Sequence, residues 1–185
     1  MEFKRLANKA INFTIYRVIE IVGIFIVVTG FMLLVSLVSY SPDDPNFIFP
    51  NNTLIKNFLG FRGSFTADIF FQSFGLISLL IPLTLIILGI NVILNKKIFL
   101  IIESIFFTIM YSLLGSLFFS FFYPTAFSLY INGNGGFIGK FLLSTFLNSL
   151  ININSQIFYY VLIFLILTLF LISIQFKINS FYEFI

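Results

Sequence analysis

Four long apolar runs alternate with polar, turn-rich stretches along the chain: Val18 to Ser39, Ile69 to Leu94, Ile98 to Phe122, and Ile157 to Ile174. Each reaches the roughly 18 apolar residues that a helix needs to cross a bilayer. The pattern predicts an all-α integral membrane protein with four transmembrane helices. It divides the chain into a tail over 1–17, a span over 18–39, a loop over 40–68, a span over 69–94, a tight turn over 95–97, a span over 98–122, a loop over 123–156, a span over 157–174, and a closing segment over 175–185. Within the second loop, 136–150 is apolar but too short to span, which predicts a short interfacial or re-entrant helix. Pro82, in the middle of the second run, removes one backbone donor and is expected to bend that helix, with Ser78 one turn earlier to compensate.

Composition strengthens this picture. Of 185 residues, 59% are hydrophobic and 9% charged, against about 25% charged in an ordinary soluble domain. A soluble fold of this size cannot hide so much apolar surface, so lipid is the solvent for most of the chain. The first run is too long for a cleaved signal and lacks a small-residue cleavage site after it, so it is expected to remain as a signal anchor. The 29 phenylalanines fit an A+T-rich coding bias better than aromatic binding chemistry.

Basic residues orient the spans, because lysine and arginine near span ends stay on the cytoplasmic side. With the N-terminus inside, Lys4, Arg5, Lys9, Arg17, Lys96, Lys97 and Lys177 are cytoplasmic, and Lys56, Arg62 and Lys140 are outside. That seven-to-three division places both termini in the cytoplasm and both long loops on the outer side. Tyr16, Tyr40, Tyr123, Tyr159, Tyr160 and Tyr182 fall near predicted boundaries, where amphipathic rings prefer the headgroups, with Tyr111 the mid-span exception. The net charge of +3 is thus a topology signal and not a nucleic-acid patch.

Little catalytic chemistry is available. Histidine, cysteine and tryptophan are absent, which removes thiolate nucleophiles, imidazole bases and the usual transition-metal ligands. No catalytic residue, cofactor or metal is expected. Glu20 and Glu103 are the carboxylates in or beside spans, and a membrane carboxylate is by default a functional hypothesis. Glu20 follows Arg17 by three residues, an ion-pair spacing, and Glu103 lies under two turns from Lys96 and Lys97. Both are therefore read as interfacial anchors rather than proton relays. The run Asn134 to Phe141 has P-loop-like spacing but lacks the first glycine and the Ser or Thr after Lys140. Gly135 and Gly139 there have the small-xxx-small spacing that allows close helix packing.

The first outer loop is the most informative segment. Pro42 and Pro45 stop the first helix, and Asp43 and Asp44 can bond nearby amides in Asx-type turns. Ser64 is a candidate N-cap for the second helix, with Asp68 in the following turn favouring its positive end. Ser39-Tyr-Ser-Pro-Asp-Asp-Pro45 is followed by Gly60, Gly63, Ala67, Asp68, Phe71, Gln72, Phe74, Gly75 and then Pro82. This arrangement resembles the four-helix N-terminal domain of FtsK/SpoIIIE DNA translocases, and the 133–139 segment is similar to the family's glycine-containing outer element.

The resemblance implies an inner-membrane, septum-localising anchor in cell division and chromosome segregation, joined by a linker starting near 175–185 to a cytoplasmic ATPase. It implies a homo-oligomer (a hexamer in the full-length family), contacts with membrane lipid and other division proteins, and DNA engaged only through a C-terminal motor. No Walker motif or basic DNA-reading module occurs among these residues, so the chain itself is not expected to be an enzyme. Candidate structural or partner-contact residues are Ser41, Pro42, Asp43, Asp44, Pro45, Gly60, Gly63, Asp68, Gln72 and Gly75, with Glu20 and Glu103 as interfacial carboxylates. The alternative reading is a small multi-pass transporter or channel, which would need polar groups or broken helices near the midplane.

Overall fold

The computed structural model describes residues 2–45, 54–125 and 132–176. Lys177, Tyr182 and most of the expected linker lie outside the described residues. Among the described residues, seven α-helices and one 3-10 segment make up the fold: α1 (Glu2–Val38), α2 (Gly60–Phe74), a 3-10 turn (Gly75–Leu79), α3 (Leu80–Asn95), α4 (Phe99–Phe122), α5 (Gly136–Leu143), α6 (Phe146–Ile153) and α7 (Ser155–Ser173). Four of these helical stretches are long and apolar enough to cross a membrane: Asn8–Val38, Gly60–Asn95, Phe99–Phe122 and Ser155–Ser173.

α1 packs along α3 through a close backbone crossing. A Cβ on Gly23 would stand 2.9 Å from the Gly89 carbonyl oxygen, and one on Gly89 would stand 2.6 Å from that of Gly23. Only paired glycines let the two helices meet at this distance, the same close approach that small residues provide in membrane interfaces generally. α4 packs on α7, with the Tyr111 and Phe170 rings edge-on at 5.7 Å. Between these pairs, the Tyr111 hydroxyl meets Thr84 Oγ1 of α3 at 2.9 Å. Tyr111, the mid-span exception among the tyrosines, is fully buried, and Thr84 gives its hydroxyl a partner away from water.

Three sequence expectations are corrected. α2 begins at Gly60 instead of at Ser64, and no side chain caps its first residue. Asn57 supplies the start: its carbonyl accepts the Gly60 amide at 2.9 Å and its Oδ1 accepts the Leu59 amide at 3.1 Å. Ser64 is thus inside the helix, and Asp68 lies more than two turns in, beyond reach of the positive end. Second, the break in the second span is the 3-10 turn at Gly75–Leu79, so Pro82 falls in the first turn of α3, where a missing N–H costs least. Ser78 donates to the Gly75 carbonyl at 2.6 Å, within that turn. Third, 136–150 is not one helix: α5 and α6 meet at 76°. Thr145 stops α5 and caps α6, accepting the Leu147 amide at 3.3 Å.

Candidate functional site

The first-loop residues converge where α1 ends and α2 begins. The last turn of any helix leaves carbonyls without intrahelical partners, and here Asn57 serves them: its Nδ2 donates to the Ser36 carbonyl at 2.8 Å and to that of Ser39 at 3.3 Å. Ser39 Oγ accepts the Phe58 amide at 3.1 Å, and Ser36 Oγ donates to the Gly63 carbonyl. A Cβ on Gly63 would stand 2.6 Å from that of Leu59 and run into the Asn57 side chain. Gly63 therefore keeps α2 close enough for this set of bonds to form.

Asp43 and Asp44 have opposite roles. Asp44 is buried, and its two carboxylate oxygens accept the amides of Lys56 and Asn57 at 2.8 and 2.9 Å. Its own amide donates to the Ser41 carbonyl at 3.2 Å, closing a turn around Pro42. Both oxygens being used by backbone, Asp44 serves as a clamp on the loop's two strands of chain. Asp43 is exposed and pairs with Lys56 Nζ at 2.8 Å. That ammonium holds the Asp43 carboxyl below the usual carboxylate range, and the Lys56 ammonium is pushed up in turn.

The α2 residues complete the cluster. The buried Pro45 carbonyl accepts the Ser64 hydroxyl at 2.9 Å, and buried Asp68 accepts the Tyr40 hydroxyl at 3.1 Å. Gln72 Nε2 reaches the same Asp68 oxygen at 3.5 Å, and the Gln72 carbonyl accepts from Asn132 Nδ2 at 3.4 Å. Gly75 carries the chain onward with φ of 71°, a region open to glycine at low cost. Its Cα lies against Asn134, whose carbonyl accepts the Leu76 amide at 2.8 Å. The second outer segment is thereby fixed to the α2–α3 break. Gly135 and Gly139 in turn press α5 onto Ser116 and Ser120 of α4.

Of the sequence candidates, Ser41, Asp44, Pro45, Gly63 and Asp68 are joined by this network, Gln72 extends it to Asn132, and Gly75 meets Asn134. Pro42 is exposed, and around Gly60 (φ 64°) there is open space. Asn57 and Ser36 are buried polar members that the sequence reading passed over, and Asn134, met there only as the first position of a P-loop-like run, is a third. A polar residue just before a Gly-rich helix start was the available signal for Asn57.

The two span carboxylates lie at the other end of the bundle. Glu20 pairs with Arg17 and, at 3.1 Å, with Lys96. Lys96 caps α3 in the left-handed region with φ of 54°, and its ammonium also sits 5.5 Å from the Tyr16 ring. Glu20 thus ties α1 to the turn between α3 and α4. Glu103 is exposed and lines a recess of about 390 Å³ with Asn95, Lys97 and Gln175. Among the described residues no group of three or more acidic side chains is placed to hold a metal ion.

These structural features belong with a sequence relationship. The family described as the 4TM region of DNA translocase FtsK/SpoIIIE matches residues 16–184. The chain is 32% identical over 72 residues to the DNA translocase FtsK of Rickettsia prowazekii (strain Madrid E), covering 39% of this chain and 10% of that protein. It is 33% identical over 64 residues to the protein of the same name from Rickettsia typhi (strain ATCC VR-144 / Wilmington), 35% of this chain and 9% of the relative. The chain therefore spans about a tenth of the length of these relatives. No solved structure matches it.

Proposed function

The chain belongs to the family of four-transmembrane regions of the DNA translocase FtsK/SpoIIIE, and from that premise we propose that it anchors such a translocase in the bacterial cytoplasmic membrane. The observation that carries the reading is the family match over 16–184, which takes in three of the four membrane-length helices whole and the first from Tyr16 onward. Both termini face the cytoplasm, in keeping with the seven-to-three basic split, so that a motor following the fourth span stands on the side where DNA is. The anchor itself neither hydrolyses ATP nor pumps DNA; DNA is engaged only through a C-terminal motor. Its place is the division septum, its assembly a homo-oligomer, hexameric when joined to the motor.

The geometry supports an anchor over a transporter or channel. Thr84 and Tyr111 are fully buried and share a hydrogen bond, and the break in the second span at Gly75–Leu79 is closed by the Asn134 carbonyl on the Leu76 amide. A conducting or transporting path instead exposes such groups to a water-filled cavity. The outer network around Asn57 and Asp44 forms a platform that presents exposed Pro42 and the Lys56-paired Asp43 toward another division protein. A fluorescent fusion of the chain, expressed in dividing cells, is expected to collect in a mid-cell ring, and an even membrane signal would refute the septal assignment. If substitution of Asp43, Asp44 and Asp68 left both ring formation and membrane expression unchanged, the loop would have no partner role.

A further inference from the structure

One lipid-facing groove has a charge at its end that no described side chain neutralises. The groove, about 490 Å³, runs between α1 and α2 and is lined by Phe25, Val28 and Met32 of α1 and Phe70 of α2, with Arg62 and Thr66 toward its α2 end. From Phe25 to Ser36, the α1 limits of the lining, the helix rises about 17 Å at ~1.5 Å per residue. One leaflet is about 15 Å deep, half of a hydrocarbon core ~30 Å thick. The groove is therefore as long as one leaflet. Arg62 stands where α1 leaves its apolar run, one residue from Gly63, whose carbonyl bonds Ser36.

Arg62 makes no ion pair among the described residues, and residues 46–53 contain no Asp or Glu. The neighbouring carboxylates are otherwise engaged: Asp43 by Lys56, Asp44 by two backbone amides, and Asp68 by Tyr40. A guanidinium at the headgroup level is suited to a phosphate, which it meets with two parallel N–H donors. No carboxylate lines the groove, so it holds no counter-charge for the ammonium of a zwitterionic headgroup. We propose that this groove holds one anionic phospholipid of the leaflet on the Tyr40 side, its acyl chain along Phe25 to Met32 and its phosphate on Arg62. The site is independent of the translocase reading and would exist in the chain alone.

Native mass spectrometry of the chain released from micelles carrying equal phosphatidylglycerol and phosphatidylethanolamine tests this. The expected result is retention of one phosphatidylglycerol in preference to phosphatidylethanolamine. R62Q should lower that preference about fivefold, since a cation near an anionic membrane surface contributes about 1 kcal/mol and 1.4 kcal/mol is tenfold. V28W, which fills the groove at a half-exposed position, should lose both lipids while keeping a wild-type helical circular dichroism spectrum. Equal retention of the two lipids by the native chain, or an R62Q preference unchanged, overturns the proposal. So does displacement of the lipid by inorganic phosphate, which would mark a bare anion site. A Thr29→Cys chain, with no other cysteine, that cross-links to a second copy in the membrane would show the groove to be a protein interface instead.

Discussion

Replacement of Asn57 should destabilise the fold more than any substitution at the exposed loop positions, and the choice of replacement separates hydrogen bonding from packing. Asn57 is 4% exposed. Its Nδ2 serves two α1 carbonyls, and its Oδ1 accepts the Leu59 amide. At about 1 kcal/mol net per bond, with the 3.3 Å contact to Ser39 counted as weak, Asn57→Ala should cost about 2 to 3 kcal/mol. Asn57→Asp is nearly isosteric, but it sets a carboxylate oxygen against the Ser36 and Ser39 carbonyls where an amide donor stood. It should therefore cost more than alanine at neutral pH, although it fills the space better. A carboxyl so placed has its folded-state pKa raised, so the folded state binds the extra proton and the deficit shrinks as pH falls toward the ordinary aspartate value of about 3.9. Thermal unfolding in detergent, followed by circular dichroism across pH, measures both effects. An Asn57→Asp variant as stable as wild type, or one whose deficit grows on acidification, would refute the account.

Gly75→Ala forces a side chain into φ of 71° and against the Asn134 carbonyl, so it should cost about 2 kcal/mol or more and free the second outer segment to proteolysis. Exchange of Glu20 and Lys96, as the E20K and K96E double variant, should recover part of the melting temperature lost in E20K, the remainder being the like charge then set against Arg17, and high salt should shrink the loss because the pair is partly exposed. The Asp43–Lys56 pair should contribute a constant small increment between the unfolded pKa values of the two groups. The increment is lost as pH falls through the depressed pKa of Asp43 and as it rises through the elevated pKa of Lys56; a K56A melting curve parallel to wild type at the extremes and lower only between them is the expected observation. Tyr111→Phe should cost about 0.6 kcal/mol, a usual value for a hydrogen bond between membrane helices, since Thr84 keeps the Leu80 carbonyl as a second partner.

What could be read from sequence follows from which interactions are local. Four bilayer-length apolar runs need no knowledge of packing, because hydropathy alone decides whether a helix prefers lipid. The pairing of Glu20 with Arg17 was legible for a similar reason, since three residues of spacing put both on one helix face; the reach of Lys96 across to α1 was not. The start of α2 was misplaced because Ser64 has the residue type of a cap, whereas the residue that sets the helix start, Asn57, is held by carbonyls 18 and 21 positions earlier. Ser64 spends its hydroxyl on Pro45 instead. The break between α5 and α6 was readable in principle: Thr145 before an amphipathic octet is a cap signal, masked by the apolar character of the residues around it. The contact between Gly75 and Asn134 joins two segments 59 positions apart, and no local pattern reports it.

The central claim, four spans with both ends of the anchor in the cytoplasm, is tested most directly by accessibility of single cysteines, for which a chain without native cysteine is well suited. K9C, K56C, K97C, K140C and K177C variants, treated in intact spheroplasts with a membrane-impermeant maleimide, should label at positions 56 and 140 from outside and at positions 9, 97 and 177 only after permeabilisation. Labelling of positions 9 and 97 from outside with position 56 protected would invert the topology, and labelling of positions 56 and 97 from the same side would remove the second span.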